Sequence, residues 1–188
     1  IMHPGAGNYD KTIVNALIYY DKDSLSTIGD ELRPGIVHRL DKYTSGVMVI
    51  AKNNFTHTNL VDQFKLHSIK RKYQAIVWGV PAKQTIDGYI ERNKINRKKM
   101  SLNQKGEGKY SKTDIILKQS YKNSSLIECT LHTGRTHQIR LHLTSISAPI
   151  VGDEIYGKNK ISKFGLEKNT FNKFLILKNI FGDIHISF

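Results

Sequence analysis

Apolar positions settle into a helical rhythm early in the chain. In the run Asp-Lys-Thr-Ile-Val-Asn-Ala-Leu-Ile-Tyr-Tyr that begins at Asp10, the residues Ile13, Val14, Leu17 and Ile18 share one helix face, and Asp10 is a side chain suited to cap it. Residues 21–35 show no period and predict a loop. From residue 46 to 52 the pattern becomes a β-rich apolar run, which predicts a strand. Asn54 then offers the cap of a second helix with Phe55, Leu60, Val61 and Phe64 as its apolar positions.

Residues 73–79 predict a second strand, closed by a Gly-Val-Pro turn, and residues 115–117 and 126–131 predict a pair of strands around the polar stretch 120–125. Gly134 separates the last of these from a further helix, seated by the stripe Ile139, Leu143 and Ile146. Strands and helices do not alternate strictly, and there is no internal repeat or low-complexity linker. A doubly wound nucleotide fold is therefore disfavoured. The expectation is one α+β domain over residues 1–188 with a mixed, mainly antiparallel sheet.

A chain of 188 residues can bury a core without staples. Its single cysteine, Cys129, allows neither an internal disulfide nor a thiolate zinc site, so a reducing compartment suffices. The apolar run at residues 47–51 is far short of the roughly 18 needed to span a bilayer. No basic segment leads into an apolar one at the start. No membrane partner is expected, and the expected location is cytoplasmic.

Charge changes the picture further. Lysine and arginine number 29 against 16 acidic residues, a formal +13, which favours a polyanionic partner, nucleic acid ahead of an anionic membrane. Lysine enrichment alongside so much asparagine and isoleucine is also what a biased genome produces, so charge alone names no function.

Two clusters carry candidate chemistry. In Gly-Ile-Val-His-Arg-Leu-Asp-Lys-Tyr-Thr-Ser-Gly, residues 35–46, the side chains His38, Arg39, Asp41, Thr44 and Ser45 crowd a loop ahead of an apolar strand. Such settings concentrate functional residues, though an ordinary Asp/Ser/Gly turn reads the same way. In Leu-His-Thr-Gly-Arg-Thr-His-Gln-Ile-Arg-Leu-His-Leu, residues 131–143, a turn of about 100° per residue sets Arg140 at the edge of the apolar stripe. There it can project into a cleft as an active-site cation.

The three histidines of that cluster, His132, His137 and His142, succeed one another at five-residue intervals, about 140° apart on a helix, which is poor metal-ligand spacing. No metal is expected. Backbone hydrogen bonding or capping is the expectation for His132 and His142. Two basic stretches, residues 65–72 and 92–99, suit phosphate contacts, and solvated loops read the same way.

Together these clusters resemble the ribosomal large-subunit pseudouridine synthases of the RluA/RluD type. The signature His-Arg-Leu-Asp-x-x-Thr-Ser-Gly is unbroken at residues 38–46. It is followed in the family's order by Lys-Tyr-Gln-Ala-Ile-Val-Trp-Gly from Lys72, Gly-Arg-Thr-His-Gln-Ile-Arg-Leu-His from Gly134 and Pro-Ile-Val-Gly-Asp-Glu-Ile-Tyr-Gly from Pro149. The opening His-Pro-Gly-Ala-Gly-Asn from His3 looks most like the D-type branch. Measured against the family, a strand with a Lys-Pro dipeptide and a small S4-like domain would be missing upstream. An Arg-Gln-x-Leu-His-Ala segment is replaced by Phe-Asn-Lys-Phe-Leu-Ile-Leu from Phe171.

The resemblance implies an RNA isomerase with a sheet divided by a catalytic cleft that holds the aspartate. Asp41 would attack the sugar, or abstract its proton on a glycal route. Arg140 would keep Asp41 ionised, Tyr73 would stack on the target base and could assist proton transfer at C5, and Arg39 would fill the gap left by the flipped nucleotide. His38, Thr44, Lys72, Arg135 and His137 join Arg39 as candidate RNA contacts. The expected partner is structured RNA, a stem-loop of large-subunit ribosomal RNA, acted on by a monomer without cofactor or metal. A synthase for transfer RNA and a catalytically retired RNA-binding module are the alternatives.

Overall fold

The computed structural model describes Pro4 and residues 9–21, 24–28, 33–157 and 175–181. Apart from Pro4, the opening motif lies outside the described residues, as do residues 171–174 of the C-terminal run. In chain order the elements are α1 (Ile13–Asp21), β1 (Ser45–Gly46), α2 (Asn54–Lys65), β2 (Lys70–Trp78), β3 (Gln84–Arg92), β4 (Met100–Asn103), β5 (Lys109–Ser120), β6 (Ser124–Leu131), α3 (Gln138–Ser145) and β7 (Leu175–Phe181). This is an α+β fold, as the patterning predicts. No described helix is long and apolar enough to cross a membrane.

The chain forms two compact units, and one of them comprises Ile1–Lys42, Val47–Ile69 and Phe181–Phe188. Here α1 begins later than expected, because Thr12 and not Asp10 caps it. The Thr12 hydroxyl accepts the Asn15 amide at 3.2 Å, and Asn15 Oδ1 accepts from the Thr12 amide and hydroxyl at 3.0 and 2.6 Å. The buried face is also narrower than the pattern suggested, with Val14 fully buried and Ile13 exposed.

Asn53, one residue before the expected Asn54, caps α2 by accepting the Thr56 amide at 2.8 Å. Asn54 Oδ1 instead accepts from the Ser26 hydroxyl and the Thr27 amide, tying the preceding loop to the helix. Leu60 is buried as expected, but Phe55 is exposed. Five residues apart on a helix, the two side chains point about 140° away from each other.

The strand expected over residues 46–52 is reduced to two residues, Ser45–Gly46, plus an isolated bridge between Ile36 and Ile50. The physical reason is local. The Val49 amide donates to the His38 ring at 3.0 Å, so it is not offered to a neighbouring strand.

The other unit, Tyr43–Gly46 with Lys70–Ile180, holds, among the described residues, a seven-stranded sheet in the order β1-β7-β2-β6-β5-β3-β4. β1 and β7 are parallel, and the run β2-β6-β5-β3-β4 is antiparallel throughout. Across the middle, Ala75 faces Ile127 and Ile127 faces Leu117. Ala75, Val77, Ile86, Ile115, Ile127, Cys129 and Leu131 join Ile139 and Leu143 of α3 in one core, with Ile146 and Tyr73 packed at its margin. The sequence-predicted stripe of α3 is thus the face that seats it on the sheet.

Candidate active site

In the first unit the candidate aspartate sits on a loop fixed from both sides. Gly35 has φ +71°, and a Cβ there would lie 2.7 Å from the Ala51 carbonyl oxygen, so a side chain is excluded. That close approach allows the Ala51 amide to donate to the Gly35 carbonyl at 2.9 Å, while the Gly35 amide donates to Ser26 O at 3.0 Å.

Next along the loop, His38 Nε2 accepts the Val49 amide, which requires that nitrogen to be unprotonated, and the ring stacks on Phe64 of α2 with centroids 5.1 Å apart. His38, expected as an RNA contact, also braces the loop against the helix. Leu40 is buried, and Asp41 follows it partly buried between the exposed Arg39 and Lys42. Three residues further on, in the stretch that belongs to the second unit, Thr44 is partly buried, with its hydroxyl shielded from solvent and without a hydrogen-bond partner among the described residues.

In the second unit, strand alternation sorts the side chains of β2. Tyr73, like Ala75 and Val77, belongs to the core side, opposite Cys129 of β6. Lys72 faces the other way and pairs with Glu128, Nζ to Oε1 at 3.3 Å.

Arg140 lies on α3 with only 6 % of its surface exposed and forms a bidentate pair with Asp153, Nε–Oδ2 at 2.7 Å and Nη2–Oδ1 at 2.9 Å. Burial pushes the Asp153 carboxyl up. The Arg140 guanidinium and the amides of Tyr156 and Ile155 outweigh that and hold it below the ordinary carboxylate range. The guanidinium also lies over the Tyr156 ring, 4.7 Å from its centroid. The Tyr156 hydroxyl accepts the Met100 amide and is 2.9 Å from His137 Nδ1. Thus Arg140 and His137, both sequence candidates, meet through a tyrosine that was not one.

The loop between β6 and α3 is organised by Gln138, which is 3 % exposed. Its Oε1 accepts from the Thr133 hydroxyl and the Arg135 amide, and its Nε2 donates to Lys112 O and Thr113 Oγ1, so all four amide positions are satisfied. Arg135 is anchored again by Nε donating to Tyr110 O at 2.9 Å, and His137 adopts φ +58° at the start of α3.

The other two histidines bond side chains, where local backbone bonding or capping was expected. His132 Nε2 meets Asp114 Oδ2 at 2.6 Å. His142 is buried between Ser111 and Thr113, each 2.9 Å away. Since the Ser111 hydroxyl donates to Gly88 O, His142 Nε2–H must donate to Ser111.

Sequence reasoning missed Asp153, Tyr156 and Gln138 as site-building residues. All three lie inside the motifs quoted above, but nothing in a linear motif says which of its side chains will pair.

With this geometry in view, the comparisons identify the class: the chain belongs to the RNA pseudouridylate synthase family, whose model matches residues 4–145. Over 161 residues it is 50 % identical to ribosomal large subunit pseudouridine synthase D of Zymomonas mobilis, a match covering 85 % of this chain and 51 % of that protein. It is 44 % identical over 159 residues to an uncharacterized RNA pseudouridine synthase of Aquifex aeolicus, covering 84 % and 50 %. The chain spans about half the length of these curated relatives. Among solved structures, human RNA pseudouridylate synthase domain containing 1 has a TM-score of 0.72 at 25 % identity, covering 90 % of this chain and 68 % of that one.

Proposed function

We propose that this chain isomerises uridine to pseudouridine in RNA, with Asp41 as the essential residue and a stem-loop of large-subunit ribosomal RNA as substrate. The observation that carries the reading is the intact His-Arg-Leu-Asp-x-x-Thr-Ser-Gly loop in a member of this family, presenting a partly buried carboxylate on a loop braced by Gly35 and His38. The ribosomal substrate is supported by the name of the Zymomonas relative, a ribosomal large subunit pseudouridine synthase.

The isomerisation breaks the N1–C1′ bond, turns the detached uracil and forms C5–C1′. N1 gains a proton as C5 loses one, so no net oxidant, cofactor or metal is required. Asp41 supplies a carboxylate to attack C1′ or to remove a sugar proton. Tyr73 is assigned to base stacking and C5 proton transfer, Arg140 to the electrostatics of the reaction, and Arg39 to the gap left by the flipped nucleotide. A monomer acting in the cytoplasm completes the reading.

The test is to map pseudouridine in a pre-folded ribosomal stem-loop after incubation with the chain, in the presence of a chelator. The parent is expected to modify loop uridines. Asp41→Asn is expected to form no product while binding RNA within about threefold of the parent, since affinity rests on phosphate contacts. Turnover by Asp41→Asn removes the proposed nucleophile. Modification confined to transfer RNA removes the ribosomal assignment.

A further inference from the structure

Among the basic residues 65–72, strand alternation singles out one. Lys70 and Lys72 share the face of β2 on which Lys72 pairs with Glu128, whereas Arg71 shares the face of Tyr73. The Arg71 guanidinium crosses Gly134: a Cβ built there would lie 2.3 Å from Arg71 Nη1 and 3.2 Å from both Cζ and Nη2. Gly134 needs no unusual backbone angle, so its missing side chain serves to leave room for this guanidinium. The next residue, Arg135, is held by its amide to Gln138 Oε1 and by Nε to Tyr110 O.

Arg71 is partly buried, and burial pushes its guanidinium pKa down. The Tyr73 side chain acts in the opposite sense, and the nearby Arg135 charge lowers it further. Two like charges are thus held within electrostatic reach of each other, one of them largely out of water. A phosphate beside them is attracted by both charges, and the planar fork of arginine matches its oxygens.

We propose that Arg71 and Arg135, packed around Gly134 beside Tyr73, bind one phosphodiester of the RNA next to the nucleotide that Tyr73 receives. The proposal rests on the reading of the chain as an RNA-modifying enzyme. It makes Arg71 the phosphate-reading member of its basic stretch and Gly134 the residue that gives it room.

The experiment is equilibrium binding of a pre-folded, uridine-containing ribosomal stem-loop across a salt series, alongside pseudouridine formation by the parent. Arg71→Gln is expected to weaken binding about tenfold and to lower the slope of log affinity against log salt by about one ion. Gly134→Ala, which keeps every charge but displaces the guanidinium, is expected to weaken binding similarly. Arg71→Lys should retain the slope while losing affinity, because an ammonium lacks the fork. Lys118→Gln, an equal charge change at an exposed position of β5, should move affinity less than threefold, in keeping with diffuse screening alone.

If Arg71→Gln and Gly134→Ala melt and bind like a parent that forms pseudouridine, the phosphate site is overturned and the enzyme assignment stands. If the parent forms no pseudouridine in any RNA offered, the underlying reading falls and the proposal with it.

Discussion

Asp153 and Arg140 have carried two unit charges almost entirely out of water, at 2 % and 6 % exposure, and each is tolerated because the other meets it through two hydrogen bonds. Removing one charge strands the other. Asp153→Asn is expected to cost about 3 kcal/mol of stability, roughly 10 °C in Tm for a chain of this size, measured by thermal unfolding. Replacing both residues with leucine should return much of that stability without returning activity. A single Asp153→Asn that melts within about 2 °C of the parent would show that the pair is not under this strain. At this scale residue type and spacing exposed Asp41 and Arg140 as candidates, because both are linear information, and the family resemblance added Tyr73. Asp153 as the partner of Arg140 was not legible, since that pairing depends on how the turn after Ile150 folds back onto α3.

Helix α3 is joined to the sheet by an apolar face and by a polar seam. The seam runs through His142, whose buried ring donates to Ser111 and lies against Thr113. Burial lowers the His142 pKa from 6.5 to about 4, with a smaller opposing pull from the Asp87 charge. The unfolded chain therefore binds a proton between those values that the folded chain refuses. The neutral ring's contribution is complete above about pH 6.5 and is lost as pH falls toward 4, a loss of about 3 kcal/mol. Urea unfolding of the parent from pH 7 to 4.5 should show this decline, and His142→Gln should flatten it. An equal decline in the variant would assign it to other groups.

Element types were legible wherever the period was clear, as in α3, β2 and the β5–β6 pair. β3 went unread although Ile86, Gly88 and Ile90 are its buried positions, because a glycine at its centre interrupts the apolar alternation. The strand over residues 46–52 was over-read, because no pattern records that a histidine ring eleven positions back would take the amide of Val49.

For the molecule as a whole, the formal charge of +13 is the quantity that bears on its partner. If phosphate contacts dominate, stem-loop affinity should fall steeply with salt, with a log–log slope of about −0.7 per phosphate on single-stranded segments. Fluorescence anisotropy between about 50 and 200 mM salt reads this directly. Affinity that holds constant across the range would mean that the excess charge is compositional and that recognition is apolar.

Sequence by itself determined the α+β class, the sites of α2, α3, β2 and the β5–β6 pair, and the chemical identity of the candidate loop. Those depend on periodicity and on residue type at fixed local spacing, which a chain carries before it folds. Only the tertiary structure decided that Arg140 pairs with Asp153, that the Gln138 amide donates to Lys112 and Thr113 of β5, and that Arg71 lies across Gly134. Each is a contact between segments whose separation in sequence says nothing about their separation in space. The polar groups involved are buried, so each had to find a partner somewhere, and the fold alone determined which one came within reach.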